Sequence, residues 1–185
     1  MLGARRVSVF VLMTLFAVIL FAHPMIDQEQ VNVDPAFLFA IGGGSEQKLA
    51  QVFTAGRGGR LTHVTLPIGC QPTEVLRVSI QETTAGVPNG NILSDLSLPG
   101  TIFPPTAPSP GVGFRIVELR RRPRLLAGQQ YAIVLEAGSV SCYVYPGPVG
   151  DSYPAGSGYF DARPNGPGWL PILPNNDLPF QTFME

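Results

Sequence analysis

The chain has 185 residues, 21 of them glycine and 19 proline, with 14% charged side chains and a formal net charge of −1. Glycine and proline both oppose helix interiors, so this composition excludes a mainly helical bundle. Hydrophobic residues at 45% exclude wholesale disorder, and the length suits one domain.

Residues 1–22 differ from the rest. Arg5 and Arg6 precede an uncharged apolar run from Val7 to Ala22. A charge pair followed by a short apolar run describes an export signal. The run falls short of the roughly 20 residues that span a bilayer as a helix. Cleavage is expected near Ala22; uncleaved, residues 1–22 would be an anchor and the chain's one membrane contact. Loss of Arg5 and Arg6 would leave a net charge near −3. A weakly acidic exported protein is poorly suited to nucleic acid, and none is expected as a partner.

Residues 23–35 read as a polar, irregular leader, and residues 36–185 as the folded domain. Short strands are predicted at 36–41, 49–54 and 60–68. The clearest is 75–82, where Leu76, Val78 and Ile80 alternate with Arg77, Ser79 and Gln81. That period of two marks a half-buried antiparallel strand. Val87-Pro88-Asn89-Gly90-Asn91 predicts a hairpin turn, since Asn-Gly readily takes positive φ. A strand at 92–98 follows. Prolines 99, 104, 105, 108 and 110 then predict an extended loop over 99–113. Strands at 114–119, 131–137, 140–145, 158–162 and 178–183 complete about ten. Turn signals every 8–12 residues point to an antiparallel all-β sandwich or barrel.

Val64, Leu66, Ile68 and Cys70 share one side of a strand, as do Val140, Cys142 and Val144. Both cysteines therefore belong on core faces. An exported location favours a Cys70–Cys142 disulfide; two buried free thiols are the other reading.

Several segments, taken in their order along the chain, carry a resemblance. They are Lys48-Leu49-Ala50-Gln51-Val52-Phe53-Thr54-Ala55-Gly56, then Leu61-Thr62-His63-Val64-Thr65-Leu66, then Gly86-Val87-Pro88-Asn89-Gly90. Leu126-Ala127-Gly128-Gln129-Gln130-Tyr131-Ala132-Ile133-Val134-Leu135 follows. The last are Asp151-Ser152-Tyr153-Pro154-Ala155-Gly156-Ser157-Gly158-Tyr159 and Leu178-Pro179-Phe180-Gln181-Thr182-Phe183. Together they resemble a secreted bacterial domain found in choice-of-anchor surface proteins. The resemblance implies a jelly-roll-like β-sandwich and a periplasmic, cell-surface or extracellular role. It implies no activity and no catalytic residues. Residues 99–113 and 120–124 depart from the pattern, in connections between strands.

The chemistry-bearing residues narrow the function. A serine triad needs a positioned histidine, and only His63, with a terminal His23, is present. Gly42-Gly43-Gly44-Ser45 lacks the Lys-Ser or Lys-Thr pair of a phosphate loop. The scattered carboxylates form no pair by spacing, so a small hydrolase is the weakest reading. No cofactor is expected beyond a structural calcium. Its candidates are Asp151, Asp161 and Asp177, with Asn165, Asn175 and Asn176, in glycine- and proline-rich loops.

Two constellations suggest binding. Tyr143 and Tyr145 are expected to face outward together, with Tyr153, Tyr159 and Trp169 in the segment after them. Flat aromatic faces stack on sugars or peptides; alternatively they cover cross-strand neighbours. Arg120, Arg121, Arg122 and Arg124 form a cluster suited to polyanions, or a solvated turn. The leading expectation is an exported binding or adhesion module for a glycan or a surface protein. The alternative is a structural or assembly component that pairs through an exposed edge strand.

Overall fold

The computed structural model describes residues 23–105, 113–138, 142–162, 168–172 and 177–185. The predicted signal, residues 106–112 of the proline-rich loop, Val140, Asn165, Asn175 and Asn176 lie outside them. The described residues form fourteen strands and two 3-10 turns. Every strand pair is antiparallel, in three open sheets.

The largest sheet has six strands. In chain order they are β3 (Lys48–Thr54), β6 (Val75–Thr84), β7 (Val87–Pro99), β10 (Gln130–Glu136), β12 (Ser157–Asp161) and β13 (Leu170–Pro171). Their spatial order is β13-β12-β3-β10-β6-β7. A second sheet runs β1 (Met25–Gln30), β14 (Phe180–Met184), β4 (Gly59–Leu66), β8 (Arg115–Glu118), and β9 (Arg124–Leu125) also pairs with β4. The third is β2 (Phe39–Ile41), β11 (Cys142–Val144), β5 (Ile68–Cys70).

Inner faces of all three sheets meet in one core. Phe53, Ile80 and Ile133 come from the largest sheet, Leu61, Val64 and Phe180 from the second, and Ile41, Cys70 and Val144 from the third. The alternation read in 75–82 holds: Leu76, Val78 and Ile80 are buried inward. The fold is an open antiparallel β-sandwich.

Cys70 and Cys142 are directly paired across β5 and β11 and form a disulfide. Val64, Leu66, Ile68 and Cys70 are all buried, as their spacing predicts. They do not lie on one strand, however. Pro67 has no N–H to give to a ladder, and at that residue the chain leaves the second sheet for the third. A disulfide fits an oxidising, exported location. No helix of the described residues is long and apolar enough to cross a membrane.

Two local expectations are corrected. Residues 25–30 are not irregular: they pair along β14, from Met25 opposite Met184 to Gln30 opposite Phe180. This strand lies at a sheet edge and buries only Gln30, so it carries no apolar alternation. The hairpin between β6 and β7 does not turn at Asn89-Gly90. It turns at Ala85-Gly86, both at positive φ. Asn89, Gly90 and Asn91 instead bulge out opposite Glu82, between the pairs Gln81–Ile92 and Thr83–Pro88. Gly90 supplies the bulge's positive φ of 84°, and Asn89 Oδ1 accepts the Asn91 N–H.

Candidate functional site

The outer face of the six-stranded sheet has a small-residue floor. Leu49 and Phe53 point into the core, so their neighbours Ala50 and Val52 point outward, as do Ala132 and Val134 on β10. Ser79 and Gln81 continue this floor onto β6. Tyr159 and Trp169 pack on the strip at one side. At the other side lies the bulged start of β7, whose Pro88, Asn89, Gly90 and Ile92 line one groove with Lys48 on β3 and Glu136 on β10.

A row of alternating charge crosses one end of this face. Asp161 on β12 lies directly across from Lys48 on β3. Lys48 Nζ is 3.2 Å from Glu136 Oε1 on β10, and Arg77 on β6 is 3.4 Å from Glu136 Oε2. The other Arg77 nitrogen reaches Asp95 Oδ2 on β7 at 3.2 Å. Five charges of alternating sign thus stand on five adjacent strands. Asp161, Lys48, Glu136 and Arg77 of this row, with Gln81, Trp169 and the lip formed by Pro88, Asn89, Gly90 and Ile92, enclose a groove of about 400 Å³. A second depression of about 400 Å³ begins on the far side of the Lys48–Glu136 pair and runs to Gly43, Gly44 and Glu46.

The predicted aromatic set divides three ways. Trp169 lines the groove, and Tyr159 supports it on the same strip. Tyr143 is partly exposed, but on the third sheet. Tyr145 does not face outward beside it: β11 ends at Val144 and Tyr145 turns in, 6% exposed. Tyr153 is buried too. Its ring meets Phe180 edge-on at 5.1 Å, and its hydroxyl donates to Gln28 Oε1 at 2.7 Å. Burial pushes that hydroxyl's pKa up to about 12.

The calcium candidates also separate. Asp177 is 2% exposed, and four donors occupy its carboxylate. Gln51 Nε2 donates to Oδ1 at 3.0 Å. The Ser152 N–H, Ser152 Oγ and Tyr153 N–H donate to Oδ2 at 3.1, 3.3 and 2.9 Å. Desolvation still raises the pKa of this acid, opposed by the bonds from Gln51, Tyr153 and Ser152. Asp177 thus serves as an internal brace, tying the chain before β14 to β3 and to the loop before β12. Asp161 belongs to the groove, and Asp151 is exposed. Among the described residues no three His, Cys, Asp or Glu side chains gather as a metal site.

Arg120, Arg121, Arg122 and Arg124 are all exposed, at the β4–β9 end of the second sheet. His63 is half-buried and stacked on Phe183, ring centroids 4.0 Å apart.

The groove residues missed in the sequence are Lys48, Arg77, Gln81, Asn89 and Glu136. Alternation places Arg77 and Gln81 on the outer face, but only the register across five strands brings them beside Trp169. An aromatic flanked by amides and ion-paired charges can stack on the apolar face of a sugar while binding its hydroxyls. Two carboxylates, Asp161 and Glu136, also share the groove, on strands two positions apart. At about 4.8 Å per strand step that is roughly 10 Å of backbone separation, near the upper end for an inverting glycosidase. Both Glu136 oxygens, however, are engaged by Lys48 and Arg77. No known protein family matches the chain, and no curated protein matches it.

Proposed function

We propose that this is an exported, non-catalytic binding module whose ligand is a glycan held beside Trp169. One observation carries the reading: the chain's single tryptophan stands over a groove of about 400 Å³ lined by amides and ion-paired charges. The disulfide supports an oxidising location, and the apolar run with Arg5 and Arg6 supports export. The pre-paired charge row supports neutral or weakly charged sugars, because each charge already has an opposite neighbour. Tyr143 and Tyr145 drop out of the binding set, and Tyr159 takes a supporting place.

Trp169 is its own reporter. Glycans that bind on an array should shift its fluorescence in solution. Trp169→Ala should weaken binding at least about tenfold, the loss of one good stacking contact. Tyr143→Ala should leave it unchanged. No array binding above background, or binding indifferent to Trp169→Ala, would remove this reading.

A second reading, hydrolysis, rests on Asp161 and Glu136 sharing the groove. Release of reducing ends from a bound glycan, lost in Glu136→Gln, would favour it over binding alone. Assembly through an open edge, such as β8 with Ile116 64% exposed, is tested by light scattering across a dilution series.

A further inference from the structure

The arginine cluster is better anchored than a solvated turn requires. Four hydrogen bonds hold its backbone. The Leu119 N–H donates to Thr62 O at 2.9 Å, and the Leu61 N–H to Pro123 O at 3.0 Å. Ser94 Oγ donates to Arg121 O at 2.7 Å, from the other large sheet. Arg60 Nη1 donates to Arg122 O at 3.4 Å. The main chain is thus fixed from both sheets while the four guanidinium groups stay exposed.

Register adds a fifth arginine. Arg60 on β4 pairs directly with Arg124 on β9. Their neighbours Gly59 and Leu125 also pair, and Leu125 is fully buried, so Arg60 and Arg124 point together to the outer face. Like charges directly opposite on paired strands destabilise a sheet. Arg122 bonds the Glu185 carboxylate at 3.1 Å. Among the described residues no carboxylate forms an ion pair with Arg60, Arg120, Arg121 or Arg124. Rigid backbone, exposed guanidiniums and an uncompensated like-charge pair are what an anion-binding strip needs. Planar guanidiniums match sulfate and phosphate oxygens two at a time.

We propose that Arg60, Arg120, Arg121, Arg122 and Arg124 form a second binding site, for a polysaccharide carrying sulfate or phosphate esters. A linear polyanion suits the strip better than a membrane. On the same outer face Glu118 stands opposite His63, and Glu185 lies beside Arg122. A flat anionic surface would meet both acids, whereas a single strand passes alongside them. Nucleic acid is disfavoured by the exported location proposed above, and with a net charge of −1 on the chain the attraction for any polyanion is confined to the strip, within a Debye length of about 8 Å. The site lies on the other large sheet from the Trp169 groove and does not depend on it.

The test is surface plasmon resonance of the full chain on immobilised dextran sulfate and phosphomannan, with neutral dextran as control. Phosphatidylglycerol vesicles form a third arm. Binding to either charged polymer, falling steeply as salt rises, is expected, and the polymer bound more tightly identifies the ester. Arg60→Gln with Arg124→Gln should lose about tenfold or more, as should Arg120→Gln with Arg121→Gln, whose side chains make no bond to any other described residue. Trp169→Ala should bind as well as wild type. Equal binding by the wild type and the Arg120→Gln, Arg121→Gln variant overturns the proposal. So does failure to bind either charged polymer at low salt, or tighter binding to vesicles than to polymers of equal charge density.

Discussion

Replacing Asp177 by alanine tests the internal brace most directly. The change removes an acceptor of four hydrogen bonds. Ser152 is exposed, so water can satisfy its N–H and hydroxyl. Tyr153 is buried, and its N–H would be left without an acceptor, at about 1–3 kcal/mol. The bond from Gln51 to a charged group adds about 1.5–3 kcal/mol, partly kept because the same Nε2 also donates to Val52 O at 3.0 Å. A loss of about 3 kcal/mol follows, which for a domain of this size lowers the melting temperature by roughly 6–12 °C. Asp177→Asn is subtler. One oxygen remains for Tyr153, but the new amide faces Gln51 Nε2, donor against donor. Gln51 cannot simply flip, because its Oε1 holds the Leu178 N–H at 2.6 Å. A cost of about 1–2 kcal/mol is expected. The pH dependence separates the charge from the bonds. Desolvation raises the folded-state pKa of Asp177 above its ordinary value of 3.8. The folded protein then holds this proton more tightly than the unfolded chain. The associated stabilisation is fully present below the unfolded value and is lost as pH rises through the folded one. Urea denaturation of wild type and Asp177→Asn, from pH 3 to 7, reads this as a difference. The wild-type advantage should shrink as pH rises. An advantage that grows with pH would mean the four bonds outweigh desolvation, and would refute the reasoning.

Replacing Cys70 and Cys142 together by alanine opens a link across 72 residues and should cost about 4 kcal/mol, read by denaturant titration; the intact mass of the wild type should rise by two hydrogen atoms on reduction. A Cβ on Gly156 would lie 1.8 Å from Val52 O, so Gly156→Ala must push β12 off β3 and cost about 1–3 kcal/mol, whereas Gly44→Ala, which meets nothing within 4 Å, should be near neutral. Burial lowers the His63 pKa below 6.5, Glu118 opposes this and Arg122 adds to it; an NMR titration should therefore show a midpoint below 6.5 that moves up in Arg122→Gln.

The parts of the fold readable in the sequence are those set by local alternation. Strand β6 is legible because Leu76, Val78 and Ile80 alternate with polar neighbours over the whole run. The two cysteines are legible because each shares a face with apolar residues. Strand β1 is not, because its partner is at the opposite end of the chain and an edge strand need bury little. The β6–β7 turn misleads for a different reason. Asn89-Gly90 is the stronger local signal, yet the ladder closes at Ala85-Gly86, where Ala85 takes a positive φ that local preference disfavours. Tyr145 misleads because β11 ends at Val144, one residue before it, and alternation ends with the strand. The groove and its charge row are the least legible features: Asp161, Lys48, Glu136, Arg77 and Asp95 become neighbours only through strand register. For the arginine strip the residues are evident at once, but the backbone bonds that fix it are not.

The pairing of β1 with β14 determines how the domain carries load. Met25 and Met184 lie opposite each other at one end of that ladder. A force drawing residue 23 away from residue 185 would therefore open the ladder rung by rung, like a zipper. It would not shear all the hydrogen bonds at once. The resistance at this seam is that of one rung, beginning at exposed Met25 and moving toward buried Gln30. A molecule tethered through its amino end and pulled at its carboxyl end should thus release β1 at low force. The disulfide joins β5 to β11, away from that seam, and would hold the third sheet together after β1 has peeled away.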